Sequence, residues 1–391
     1  MTAKTFGIRI SFTYAFLMIG SGVQLPFLPL WLAAKGIPVE GIAMVVAGTM
    51  ATRIFGAPLF AWIADHFGNR RLVIQLCAAF SLMAYGLLAI SNGFGPIMTM
   101  ALIASFMFAP VFPLTEGFSV DGSQAHGLDY GRLRLWASVS FLVGSLGAGA
   151  LLTVLDPTDT AWLLAGAQAI AFLATLLLPH EPEAEKMEAT GDVLEKARDL
   201  FFGSSFPLLM IAAGLGQASH GFMNGFGSVH WSQLGIGSFG IGFLWAGAVM
   251  AEVFLLGFSR GLVARFGPGR LLVLGVSGGA LRWLVMGISS SYPIMLAAQT
   301  LHALSFATLH LGTMHFIRLM VPNSMRNRAQ GIYSALSGGV LVASTAFASG
   351  KLYASFGQAS YFFMMGLSLL SLAMTLALLR FSPRVRAVAE P

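Results

Sequence analysis

Five charged residues lie inside otherwise apolar stretches of this chain: Arg53, Glu116, Arg134, Glu252 and Arg282. Three histidines, His220, His302 and His310, share those stretches. A charge at the centre of a bilayer costs about 2.5–3.5 kcal/mol on insertion scales, so each such residue carries a functional hypothesis by default. Two chemistries are on offer. An acid facing an arginine can exchange with a ligand carboxylate or hydroxyl for the guanidinium donors. A mid-membrane carboxyl or imidazole can take and release a proton, because burial disfavours charge.

Glu116 and Arg134 suit the first chemistry. Glu116 ends the fourth apolar stretch and Arg134 opens the fifth, with a chain reversal between them, so the two can meet. The alternative is that each caps a helix end at the membrane boundary. Glu252 suits the second. It lies about 14 residues into the eighth stretch, roughly 21 Å along a helix, which is mid-membrane. The alternative there is a fixed ion pair with Arg53 or Arg282. Arg282 lies in the middle of the ninth stretch. On an ideal α-helix His310 is turned about 80° from His302, and His315 about 220°, so the three do not share a face and no metal site is expected. Gln24 and Asn224 are candidate polar contacts to a ligand or helix–helix hydrogen bonds. Trp136 and Tyr333 either line a cavity or pack.

The elements that position these groups follow from composition. The 391 residues are 56% apolar and 10% charged, against about 25% charged in a soluble domain. Spanning a bilayer as helix takes about 20 mostly apolar residues. Twelve such stretches are legible, at 8–33, 40–64, 71–91, 95–119, 131–154, 160–179, 205–231, 238–264, 270–289, 293–317, 327–352 and 357–380. Alternating ten-residue strands, the mark of a membrane β-barrel, are missing. The expected fold is therefore an all-α membrane protein.

The net charge of +6 does not read as a nucleic-acid signal. With the amino terminus inside, Lys4, Arg9, Arg70, Arg71, Lys186, Lys196, Arg198, Arg265, Arg270, Arg326, Arg328, Arg384 and Arg386 fall on the cytoplasmic side, and only Lys35 and Lys351 fall outside. That bias predicts both termini in the cytoplasm. The one cysteine, Cys77, excludes an internal disulfide or cysteine-based metal site. The first stretch reads as a retained helix and not a cleaved signal. There is no nucleotide loop, His–Glu metal helix or nucleophile elbow, and no cofactor is implied.

An acidic segment, 180–204, splits the chain into 1–179 and 205–391, six stretches each, and reads as a cytoplasmic linker. The halves match at an offset of 199: Gly36-Ile37 on Gly235-Ile236, Phe67-Gly68 on Phe266-Gly267, Arg71-Leu72 on Arg270-Leu271, and Arg53 on Glu252. A shared offset at matching places argues for an internal repeat. Paired six-helix halves with a midplane site are a known transporter plan.

The loop AWIADHFGNRR, residues 61–71, resembles the signature of the major facilitator superfamily. Asp65, Gly68, Arg70 and Arg71 match it, and Ala61 and His66 depart from it. The resemblance implies a conformational latch at these four residues. The second copy, GLVARFGPGR at 261–270, lacks the acid. DYGRLRLW, 129–136, resembles the fifth span of lactose-permease-type symporters, in which an acid eighteen positions before an arginine helps bind substrate. Glu116 and Arg134 have that separation, and Arg282 with His302 matches the second half. That group's proton-binding acid would stand at Ser305, so Glu252 becomes the heir. The blocks PVFPLTEG, LDYGRLRLWASVSFLVGS, GFLWAGAVMAEV, LRW, LHALSFATLHL and YSAL are similar to the 3-phenylpropionate permease group.

The resemblance implies proton-driven symport of a small aromatic acid across a bacterial inner membrane, by a monomer working through alternating access. Glu116, Arg134, Gln24, Asn224 and Trp136 would meet substrate. Glu252, Arg282, His302, His310 and Arg53 would serve the proton. Rivals are a sugar or nucleoside symporter, a drug–proton antiporter, and a non-transporting sensor.

Overall fold

The computed structural model describes residues 1–179, 205–321 and 325–381, with backbone alone at 259, 260, 327 and 328. The segment 180–204 read as a linker lies outside the described residues, as do the basic residues Lys186, Lys196, Arg198, Arg384 and Arg386.

The described residues are helical, with no strand among them. In chain order the helices are α1 Ala3–Ala34, α2 Val39–Phe67, α3 Arg70–Ile90, α4 Phe94–His126, α5 Tyr130–Leu151 and α6 Thr160–Thr175. They continue as α7 206–233, α8 Ser238–Gly257, α9 Ser259–Ile288, α10 Tyr292–Met320, α11 326–356 and α12 Ser360–Phe381. Nine helical stretches among the described residues are long and apolar enough to cross a membrane. One of these, Ala329–Phe381, contains most of α11 and all of α12. The sixteen-residue α6 and the interrupted α7 complete the twelve.

The repeat is written in the backbone. Gly36 and Gly235 both turn left-handed, at φ 72° and 81°. So do Gly68 and Gly267, at φ 64° and 68°. Each pair is separated by 199. A left-handed turn costs an L-residue about 1–2 kcal/mol, so glycine is what these turns need. Gly68 ends α2, and Asn69 then caps α3 by accepting from the Leu72 N–H at 2.9 Å. Gly267 only kinks α9, so the predicted break between the eighth and ninth stretches shrinks to Phe258 and one bent residue.

Several spans are irregular at mid-length. α1 breaks at Met18 and α4 at Ala109–Pro110. α7, α10 and α11 carry π-helical turns at Met223–Gly227, Ala303–Thr308 and Ala335–Leu341. Such turns are rare and concentrate at functional places. The fourth stretch runs on to His126 instead of stopping near 119. Its polar tail, VDGSQAH, stays helical until Gly127, whose left-handed φ of 64° ends it. Glu116 is therefore well inside α4 and caps nothing, which corrects one of the two readings above.

The described residues group into two compact units, one drawn from Met1–Glu185 with Asn224–Ala246 and the other from Lys186–Met223 with Gly247–Pro391. The first unit packs Phe6, Ile10 and Tyr14 of α1 on Ile74, Cys77, Val111 and Phe118. The second packs Phe206 and Leu209 of α7 on Leu272, Val276, Leu309 and Phe316. With lipid outside, helices associate through close packing of small residues more than through apolarity. In the first unit the hydroxyl of Ser145 on α5 donates to the Gly242 carbonyl of α8 at 3.0 Å. A Cβ at Gly242 would stand 2.5 Å from the Ser145 carbonyl oxygen.

Candidate functional site

Two polar constellations stand out, one in each unit. In the first, α4 presents Glu116 and α5 presents Tyr130 and Arg134 on successive turns of one face. Asp129 caps α5 by accepting from the Gly131 N–H at 2.9 Å, which fixes the start of the helix and so the height of both side chains. Arg134 Nε donates to Glu116 Oε1 at 2.8 Å. Tyr130 donates its hydroxyl to the same oxygen at 2.5 Å. The pair is reachable, with side-chain exposures of 47% for Arg134 and 34% for Glu116. Trp136, one half-turn on, is 46% exposed.

Gln24 sits elsewhere in that unit. Its amide oxygen accepts from Tyr85 at 2.9 Å and its nitrogen reaches Ser105 at 3.5 Å, which joins α1 to α3 and α4. Arg53 of α2 is exposed, and Tyr85 is the neighbour it feels electrostatically. Asn224, half-buried on the π turn of α7, makes no hydrogen bond with its side chain among the described residues.

In the second unit, Arg282 of α9 is 1% exposed. Its Nη1 reaches His302 Nδ1 at 2.9 Å and donates to Ser305 Oγ at 3.3 Å; its Nη2 donates to Gln299 Oε1 at 2.5 Å. Its guanidinium carbon lies 4.5 Å from the centre of the Trp283 ring. A guanidinium offers only donors, so His302 Nδ1 must accept. The proton of the neutral ring then sits on Nε2, which faces Glu252 Oε2 at 3.5 Å. The result is a row from cation through imidazole to carboxylate. His220 adds a branch: its Nδ1 meets the Gln217 carbonyl at 3.1 Å, and its Nε2 meets Ser305 Oγ at 3.3 Å.

The histidine geometry departs from the ideal-helix expectation. The rings of His302, Phe306 and His310 stack in sequence, at 5.1 and 6.4 Å with interplanar angles of 16° and 9°. His310 also lies 6.0 Å from the Tyr333 ring. The cause is the π turn over Ala303–Thr308, which winds less per residue than an α-helix and brings positions eight apart into line.

The signature loop forms a small network. Asp65 stands 3.8 Å from Arg70 Nε, and Arg70 Nη1 holds Asp121 of α4 at 2.7 Å. Arg71 donates to the Leu176 carbonyl at 3.4 Å. Tyr130, Asp121 and Gln299 are not among the candidates read from sequence, and Ser305 enters there only as the place of a missing acid. Three of them stand three or four residues from a named residue, the spacing at which helical side chains share a face, and that was the available signal.

Known proteins give the context. The MFS_1 like family matches residues 7–365. A protein of Escherichia coli (strain K12) named "Probable 3-phenylpropionic acid transporter" is 29% identical over 361 residues, covering 90% of this chain and 92% of that one. The maltose permease of Geobacillus stearothermophilus is 23% identical over 331 residues, covering 84% and 82%. Among solved structures, the nucleoside transporter NupG superposes with a TM-score of 0.83 at 17% identity, over 96% of this chain and 99% of that one. A D-xylose-proton symporter superposes at 0.75 and 16%, over 97% and 98%. A family match spanning nearly the whole chain, the twelve described helices and the fold shared with these carriers lead to one assignment: the chain belongs to the MFS_1 like family and is a multi-pass membrane transporter of the major facilitator superfamily.

Proposed function

We propose that this transporter is a proton-coupled symporter of a small organic acid carrying an aromatic ring, working by alternating access as a monomer with both termini in the cytoplasm. The observation that carries the coupling is the row Arg282–His302–Glu252. Its imidazole keeps one proton and turns it toward a carboxylate, the arrangement a proton relay needs. Glu252 takes and releases the proton, and Arg282 holds the ring. Glu116 and Arg134 hold the acid group of the substrate. The name borne by the 29%-identical relative supports the aromatic acid. Asp65, Arg70 and Arg71 latch helix ends, with Gly68 providing the turn.

The test is uptake into proteoliposomes under an imposed pH gradient. Wild type accumulates 3-phenylpropionate against its gradient, and Glu252→Gln does not. Undiminished uphill accumulation by Glu252→Gln removes Glu252 from the proton path.

A second reading, a sugar symporter, is favoured by the 23%-identical maltose permease. A thermal-shift screen against aromatic acids, sugars, nucleosides and cationic drugs separates the two, because a ligand that binds only the folded state raises its stability.

A further inference from the structure

Glu116 sits where a ligand would. One of its oxygens accepts both from Arg134 Nε and from the Tyr130 hydroxyl. A guanidinium N–H and a phenolic O–H converging on one carboxylate oxygen are what an organic acid would need. A further donor is near. Tyr14 of α1 is fully buried, and its hydroxyl makes no hydrogen bond among the described residues. It lies beside the hydroxyls of Ser119 and Tyr130 and within electrostatic reach of Glu116 and Arg134, with none of them at hydrogen-bonding geometry. A buried hydroxyl with no partner is costly, which marks a place for an acceptor.

We infer that a substrate carboxylate takes this seat from Glu116, and that Glu116 gains a proton for the exchange to happen. The inference rests on the organic-acid reading above. The charges balance at each stage. Before binding, one guanidinium faces one carboxylate. After binding, the guanidinium faces the substrate carboxylate and Glu116 is neutral. The proton comes from water on the side the substrate enters, and an O–H bond forms on Glu116. The hydrogen bonds from Arg134 and Tyr130 pass to the substrate, and Tyr14 adds a third. On release Glu116 returns its proton to water and reseats. Without that proton two carboxylates would crowd one arginine, and like charges at close range disfavour their joint ionisation. The titratable groups facing Glu116 are Tyr14 from α1 and Tyr130 and Arg134 from α5. Arg70 of α3 is engaged farther along α4 with Asp121, and Asp65 of α2 stands beside Arg70.

On this view Glu116 is a proton acceptor in its own right, distinct from Glu252. The experiment is isothermal titration calorimetry of the purified full-length protein at and above neutral pH, in buffers of differing ionisation enthalpy. The probes are 3-phenylpropionate and its uncharged amide, 3-phenylpropanamide. Wild type should take up about one proton per 3-phenylpropionate bound, with affinity falling about tenfold per pH unit, while the amide takes up none. Glu116→Gln, permanently uncharged, should bind the acid with no proton uptake and a flat pH profile. Tyr14→Phe should weaken the acid about tenfold and keep the proton uptake. Acid binding by wild type without proton uptake overturns the inference and leaves the organic-acid reading standing. Persistent uptake in Glu116→Gln overturns it too. Failure of wild type to bind any aromatic acid overturns both.

Discussion

Arg282 and His302 meet nitrogen to nitrogen, Nη1 to Nδ1 at 2.9 Å, so one of them must supply a lone pair and only the imidazole has one. A doubly protonated His302 would set donor against donor. His302 can therefore become a cation only by parting from Arg282, so charging this ring requires a side chain to move.

His302→Asn keeps an acceptor near Arg282 and removes the arm toward Glu252. Downhill exchange of substrate should persist, while uphill accumulation should fall at least tenfold. Counterflow and gradient-driven uptake, measured on the same proteoliposomes, separate the two.

Arg282→Gln should be costly to the fold. It strips charged donors from Gln299, Ser305 and His302 inside a buried cluster, and a single hydrogen bond to a charged group is worth about 1.5–3 kcal/mol. A loss of about 3 kcal/mol is expected from unfolding in detergent. Unchanged stability would mean that the cluster repacks around glutamine.

Asp121→Asn should act differently. The Arg70–Asp121 pair is partly exposed, and such pairs contribute under about 1 kcal/mol. Melting should therefore move little. If the pair is part of a latch, the initial transport rate will change severalfold while substrate affinity stays put.

The loop between α5 and α6 offers a pH prediction. Asp156 accepts from the Thr158 N–H at 2.8 Å and from its hydroxyl at 2.6 Å, and these bonds hold the carboxyl below its usual range. The sign follows from the lowered value: the contribution is present above the ordinary aspartate range and is lost as pH falls through the depressed value. Trp31 of α1 donates to the Thr158 carbonyl at 3.0 Å, so the loop is moored to a membrane helix. Asp156 should titrate late by carboxyl NMR, and Thr158→Ala should move it back up.

Much of the fold could be read before any coordinates, because apolar length and repeated glycines are local signals. Gly36 with Gly235, and Gly68 with Gly267, announced the repeat, and each proved to be a left-handed turn. The pairing of Glu116 with Arg134 was legible because an acid and a base flank one reversal. What escaped were non-periodic features. Nothing in ALSFAT declares a π turn, so His302 and His310 were placed on different faces. Asp121 lies in a polar tail that looks like loop, and its meeting with Arg70 depends on how α3 and α4 pack.

The π turn of α10 has a mechanical corollary. Six residues, Ala303–Thr308, are wound more slowly than their neighbours. Rewinding them as ordinary α-helix would swing His310 about 80° away from His302. Phe306, four residues from His302, would keep its neighbour on the same face, and neither end of the helix would need a hinge. The span thus contains its own swivel, driven by exchanging one register of backbone hydrogen bonds for another.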